Sequence, residues 1–174
     1  MRAVWKGVLL AGIHLGLVLS VGGKLLYDRA TRPRTWVRTG PFDPDLPIRG
    51  RYVRLRLEVP ARGFPPPAQS PSPRAPIRFP SASAYLQLEG GQLIAVPAPE
   101  GRGLRVTLRR VNDETLAQTW EALAYFIPEN VADPSRRPPG EELWVEVTLP
   151  KKGLPRPVRL GVKKNQAITP LEVR

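Results

Sequence analysis

Cysteine is absent from this chain, which excludes disulfides, thiolate metal sites and cysteine nucleophiles together. Histidine is nearly absent too. The single one, His14, sits inside an apolar run, so neither a Ser-His nor a Cys-His mechanism has its base. No Walker loop and no GxGxxG occurs, so neither phosphate-cradling motif is present. The acidic pairs Asp43/Asp45, Asp113/Glu114 and Glu141/Glu142 read as solvated turns or strand starts rather than paired catalytic carboxylates. Ser70, Ser72, Ser81 and Ser83 fall mainly in a proline-rich stretch. No catalytic residue, metal site or cofactor is implied, and the expectation is a non-enzyme.

What is abundant is arginine and proline. The 27 basic residues, 21 of them Arg, outnumber 15 acidic ones and leave a net charge of +12. Such a surface favours anionic partners, although arginine-rich composition also follows from a GC-rich genome. Aromatics make up only 7% of the chain, and Tyr52 and Tyr85 are the main ones placed among basic residues. Nucleic-acid binding, which needs stacking platforms along a basic groove, therefore falls behind headgroup or protein contact. The 22 prolines and 15 glycines argue against a helical bundle and for short strands joined by turns.

Residues Gly7 to Gly23 carry no charge. As a helix they span about 25 Å, and extension through Val4, Trp5, Leu25 and Leu26 reaches the ~30 Å of a hydrocarbon core. Lys6 and Lys24 can snorkel, while Trp5 and Tyr27 are placed as interfacial aromatics. Residues 1–27 thus read as an uncleaved signal-anchor. The rival is a cleaved signal peptide with Ser20 and Gly22 before the cut. Gly12 and Gly16 form a small-xxx-small pair beside His14. Counting Lys and Arg on the two flanks favours a cytoplasmic domain, and the signal-anchor layout favours the other side. The expectation is a single pass in the cell (inner) membrane with the domain extracytoplasmic.

Residues 28–47, punctuated by Arg32-Pro33-Arg34 and Gly40-Pro41, read as an extended linker, and 48–174 as the β-rich domain. Arg51 to Val59 alternates, with Val53, Leu55, Leu57 and Val59 on one face and Tyr52, Arg54, Arg56 and Glu58 on the other. Residues 60–80 form a proline-rich loop. Ala84–Leu88 and Gln92–Pro97 flank a glycine turn, and Leu104–Arg110 alternates again. Residues 112–121 fit either a short capped helix or a turn into a strand ending at Phe126. Glu142–Leu149, Pro157–Val162 and Ala167–Val173 complete six to eight strands. The fold class expected is all-β, an antiparallel sandwich or partly open barrel behind one transmembrane helix.

The stretch FDPDLPIRGRYVRLRL, from Phe42 to Leu57, resembles the GDYXXLXY protein family of bacteria. The family strand is preceded by an Asp-Pro and an Arg-Gly step, here Asp43-Pro44 and Arg49-Gly50. Gly50, Tyr52 and Leu55 match its named pattern. Arg51 stands where the family has Asp, and Leu57 where it has its last Tyr. Farther on, Tyr125-Phe126-Ile127-Pro128-Glu129 followed by ELWVEV is similar to the family's C-terminal part. The resemblance covers Phe42 to the C-terminus. It implies a membrane-associated companion of a multi-pass membrane protein, and Arg51 removes any role that needed the carboxylate. Tyr52 and Leu55 then set strand register on opposite faces.

The function expected is therefore a membrane-anchored accessory or scaffold domain that binds a membrane protein. The alternative is a cationic module for anionic lipid headgroups or an acidic cell-envelope polymer, with Arg51, Arg54 and Arg56 as contacts.

Overall fold

The computed structural model describes residues 2–40, 52–65, 80–111, 114–128, 131, 133–150 and 153–172. They form two compact units, Met1–Pro33 and Arg34–Arg174.

The first unit is one helix, α1 (Arg2–Thr31), containing an apolar segment Trp5–Asp28 of 24 residues with mean hydropathy 1.8. At 1.5 Å per residue that segment is about 36 Å long, enough to cross a membrane, and a signal sequence shares the property. His14, Ser20 and Thr31 are satisfied by carbonyls of the helix itself. The His14 ring bonds to the Leu10 carbonyl at 2.9 Å, and the Ser20 hydroxyl donates to the Leu17 carbonyl at 2.8 Å. Asp28 and Arg32 form an i,i+4 ion pair at 3.2 Å, and Pro33, lacking an N–H, follows the helix end.

The second unit is antiparallel and all-β, as expected. Its ten strands among the described residues are β1 (Arg34–Gly40), β2 (Tyr52–Pro60), β3 (Ser81–Glu89), β4 (Gln92–Pro97), β5 (Leu104–Val111), β6 (Glu114–Thr119), β7 (Leu123–Phe126), β8 (Glu142–Thr148), β9 (Arg156–Lys164) and β10 (Ala167–Pro170). The sheet runs β10-β9-β8-β1-β2-β6-β5-β3-β4, with β7 also pairing β2. It curls strongly: β4 returns to the end of β2, where Ala61 bridges Ala95 and the Arg62 N–H donates to the Ala95 carbonyl at 2.9 Å. The inner face buries Val37, Val53, Leu55, Leu57, Val59, Leu93, Val106, Leu108, Val145, Val147 and Leu160 as one core. Each strand contributes by period two, so the partner residues on the other face point outward.

The expected linker 28–47 is corrected over residues 28–40, while 41–47 lie outside the described residues. The helix continues to Thr31, and Arg34–Gly40 is a strand at the centre of the sheet, bonded to β2 on one side and β8 on the other. Thr35 and Val37 turn inward while Trp36 and Arg38 turn out. Its β-branched and aromatic residues suit a pleated surface, but the inward threonine hides the apolar alternation. Residues 112–121 resolve in favour of strand: Glu114–Thr119 pairs β5 and β2. Residues 66–79 of the proline-rich loop lie outside the described residues.

Candidate functional site

The outward residues of β2 make a continuous aromatic and cationic face. Tyr52 lies opposite Phe126, and Arg54 opposite Ala124, so the β7 strand extends the face sideways. Tyr52 is 43% exposed and Phe126 65%. Between β6 and β7 the chain bulges at Trp120, Glu121 and Ala122, and the buried Thr119 hydroxyl accepts the Leu57 N–H at 3.0 Å in place of the next ladder bond. Trp120 directly follows the inward Thr119, so its ring lies on the outer surface, 52% exposed. There the Arg105 guanidinium lies 4.8 Å from its centroid and that of Arg56 6.0 Å. Arg54, Arg56 and Arg105 form no ion pair among the described residues.

Farther along the same outer surface the charges are matched. Glu58, its side chain 1% exposed, meets Arg109 in a short ion pair and Arg38 at 3.7 Å. Arg38 also reaches Glu142 at 2.9 Å, and Glu142 accepts the Trp144 indole N–H at 3.1 Å. Lys163 stands 4.6 Å over the Trp144 ring, and Arg159 stands 5.4 Å over Trp36 while bonding Glu146 at 2.7 Å. Trp36 covers Gly161 so closely that a Cβ there would come within 2.7 Å of the ring. Beyond Arg38 and Glu58, β1 and β2 part around a groove of about 320 Å³, also lined by Pro60, Gln92 and Leu116. These ion pairs bind β1, β2, β8 and β9 together, whereas at the Tyr52–Trp120 end the arginines have no carboxylate partner among the described residues.

Of the sequence-derived candidates, the strand brings Tyr52, Arg54 and Arg56 together on the exposed side and sends Leu55 into the core opposite Leu123. Tyr125 packs half-buried against that core opposite Val53, and Pro128 is half-buried just beyond β7. Asp43, Arg49, Gly50, Arg51 and Glu129 lie outside the described residues. The sequence reading missed Trp120, Arg105 and Phe126 as members of the face. Period two already put Arg105 outward on its strand; Trp120 follows in the same way from the inward Ala117 and Thr119, once 114–119 is a strand rather than a helix. Among the described residues no group of three or more metal-ligating side chains gathers. Glu141 and Glu142 are engaged by Lys164 at 3.3 Å and Arg38 at 2.9 Å.

Comparison with family models, curated proteins and solved structures gives no match for this chain.

Proposed function

We propose that the chain is a non-catalytic accessory or scaffold domain, anchored in the cell (inner) membrane by an uncleaved α1. Its Tyr52–Phe126–Trp120 face docks on an acidic surface of a multi-pass membrane protein. The observation that carries this reading is an exposed cluster of Tyr, Phe and Trp interleaved with three arginines that form no ion pair among the described residues. Tyr, Trp and Arg are the residues that dominate binding energy at protein interfaces, and unpaired arginines select an acidic partner. The apolar span of 24 residues also exceeds the roughly 7–15 of a signal-peptide core, which supports retention of the anchor. The domain is assigned to the extracytoplasmic side on the signal-anchor layout.

A second reading draws on the same face. Aromatics with a polar tip beside arginines suit an anionic headgroup layer or an acidic envelope polymer as well. Detergent pull-downs with the tagged full chain separate the two. Tyr52→Asp or the Arg54→Glu/Arg56→Glu pair should sharply reduce recovery of a membrane protein, and undiminished recovery sinks the docking-face reading. Binding to protein-free liposomes that rises with anionic lipid and falls with salt would favour the second reading instead.

A further inference from the structure

Strands β1 and β2 pair only from Arg38 opposite Glu58 to Gly40 opposite Arg56, and then they part. Toward Arg34, β1 continues beside β8, and toward Pro60, β2 continues beside β6. Proline supplies the cause. Alternate strand residues direct their N–H and C=O to opposite edges, and the Ala61 N–H donates to the Thr115 carbonyl on the β6 side at 2.8 Å. Pro60 therefore faces β1, where it has no N–H to offer. The start of β4, tied to β1 by the Thr35 hydroxyl donating to the Gly91 carbonyl at 2.6 Å, brings Gln92 and Leu93 to the gap. The result is the groove of about 320 Å³, floored by the buried Val37, Val59 and Leu93.

The lining is selective in three ways. It carries both signs of charge, Arg38 and Lys163 against Glu58, Glu114 and Glu142, so an ion of either sign meets repulsion as well as attraction. Two half-buried indoles, Trp36 and Trp144, join the apolar floor in offering contact to carbon–hydrogen surface. Glu58, its side chain 1% exposed, keeps one oxygen, Oε2, without a hydrogen-bond partner among the described residues. The Arg38 Nε stands 3.7 Å from it, beyond hydrogen-bond reach. A buried acceptor left in this way calls for a donor.

We infer that this groove binds a neutral saccharide unit. Every sugar hydroxyl both donates and accepts, so one ring serves Glu58 and Glu142 as donor and Lys163 and the Gln92 amide as acceptor. Its C–H face rests on the floor and against the indoles. Arg38, 42% exposed, turns fully to Glu142, which it already bonds at 2.9 Å, and uncovers Oε2 for a hydroxyl. The volume lies at the small end of ligand sites, which suits a mono- or disaccharide unit, free or within a glycan chain. No residue of the Tyr52–Phe126 face lines the groove, so either site stands or falls alone.

The test is calorimetry and tryptophan fluorescence of the full chain in a sugar-free detergent, titrated with cellobiose, maltose and diacetylchitobiose. One of them should bind saturably with a dissociation constant on the order of 1 mM or tighter. Its counterpart carrying an ammonium or a carboxylate should bind about tenfold more weakly. Leu116→Trp fills the groove from its half-buried wall without opening the core; it should weaken binding about tenfold or more and retain the urea midpoint. Gln92→Ala, at an exposed position, should weaken it about threefold. Retention on insoluble cellulose, amylose or chitin of the matching linkage identifies a glycan chain as the source, and binding of the disaccharide alone a free sugar. No saturable binding by the natural chain overturns the inference and leaves Oε2 to water, and binding indifferent to Leu116→Trp overturns it equally. Tighter binding of either charged counterpart than of the neutral sugar would also overturn it, making the groove an ion site.

Discussion

Glu58 is a carboxylate on the outward side of β2 that the sheet nevertheless buries, and it persists there because cations reach it from two directions. Arg38 approaches from β1 and Arg109 from β5. A buried charge stripped of its counter-charge is costly, so Glu58→Gln leaves two guanidiniums facing each other across a neutral amide. Because Arg38 is 42% exposed and Arg109 27%, both can turn toward water, and the loss should fall to about 2 kcal/mol rather than the ~3–5 of a fully buried pair. Urea unfolding followed by tryptophan fluorescence measures it; a change below about 0.5 kcal/mol would make the pair ornamental. A gain is available at the β9–β10 turn. Asn165 and Gln166 both adopt left-handed φ, 49° and 69°. Glutamine is strained there, so Gln166→Gly should raise stability by about 0.5–1 kcal/mol and lift the thermal midpoint.

At the scale of elements, the bulge joining β6 to β7 makes the candidate face. β6 pairs the second half of β2 and β7 its first half, and Thr119 bridges the interruption through its hydroxyl. Thr119→Val retains the shape and removes the acceptor, leaving a buried Leu57 N–H without a partner. The cost should be about 1–3 kcal/mol, with the Arg105–Trp120 contact loosened as a second effect. Hydrogen exchange at Leu57 reads both, and protection equal to that of the natural chain would contradict this role. The same elements show what could be read from sequence. β2 was legible because Val53, Leu55, Leu57 and Val59 alternate without interruption and the opposite side is polar. β1 was not, because Arg32-Pro33-Arg34 and Gly40-Pro41 bracket it with linker punctuation and only Val37 gives it an apolar inner residue. The Trp120 position was illegible for another reason: residues 112–121 fit a helix as well as a strand, and the facing of Trp120 follows only once Glu114–Thr119 is a strand. Its two arginine partners come from strands that meet it only through the fold.

At the scale of the whole molecule, the central place of β1 changes where the folded domain begins. A fragment from Arg34 onward retains the strand that joins β8, β9 and β10 to β2, whereas one from Ile48 loses it. The first should unfold cooperatively in urea and the second should not; cooperative unfolding of the shorter fragment would return residues 34–40 to a dispensable role. The net charge of +12 is also unevenly spent. Around Glu58, Glu142 and Glu146 the cations are matched, while Arg54, Arg56 and Arg105 stand beside exposed aromatics. The proposed docking on an acidic partner rests on that contrast between ion-paired cations and arginines that form no ion pair among the described residues. The most direct measurement places a photo-crosslinking amino acid at Phe126 in the full chain in cells and compares it with one at Gln87. The expected result is a defined membrane-protein adduct at Phe126, absent at Gln87 and lost on Arg54→Glu/Arg56→Glu. An adduct indifferent to that charge reversal, or equal at both positions, would contradict it.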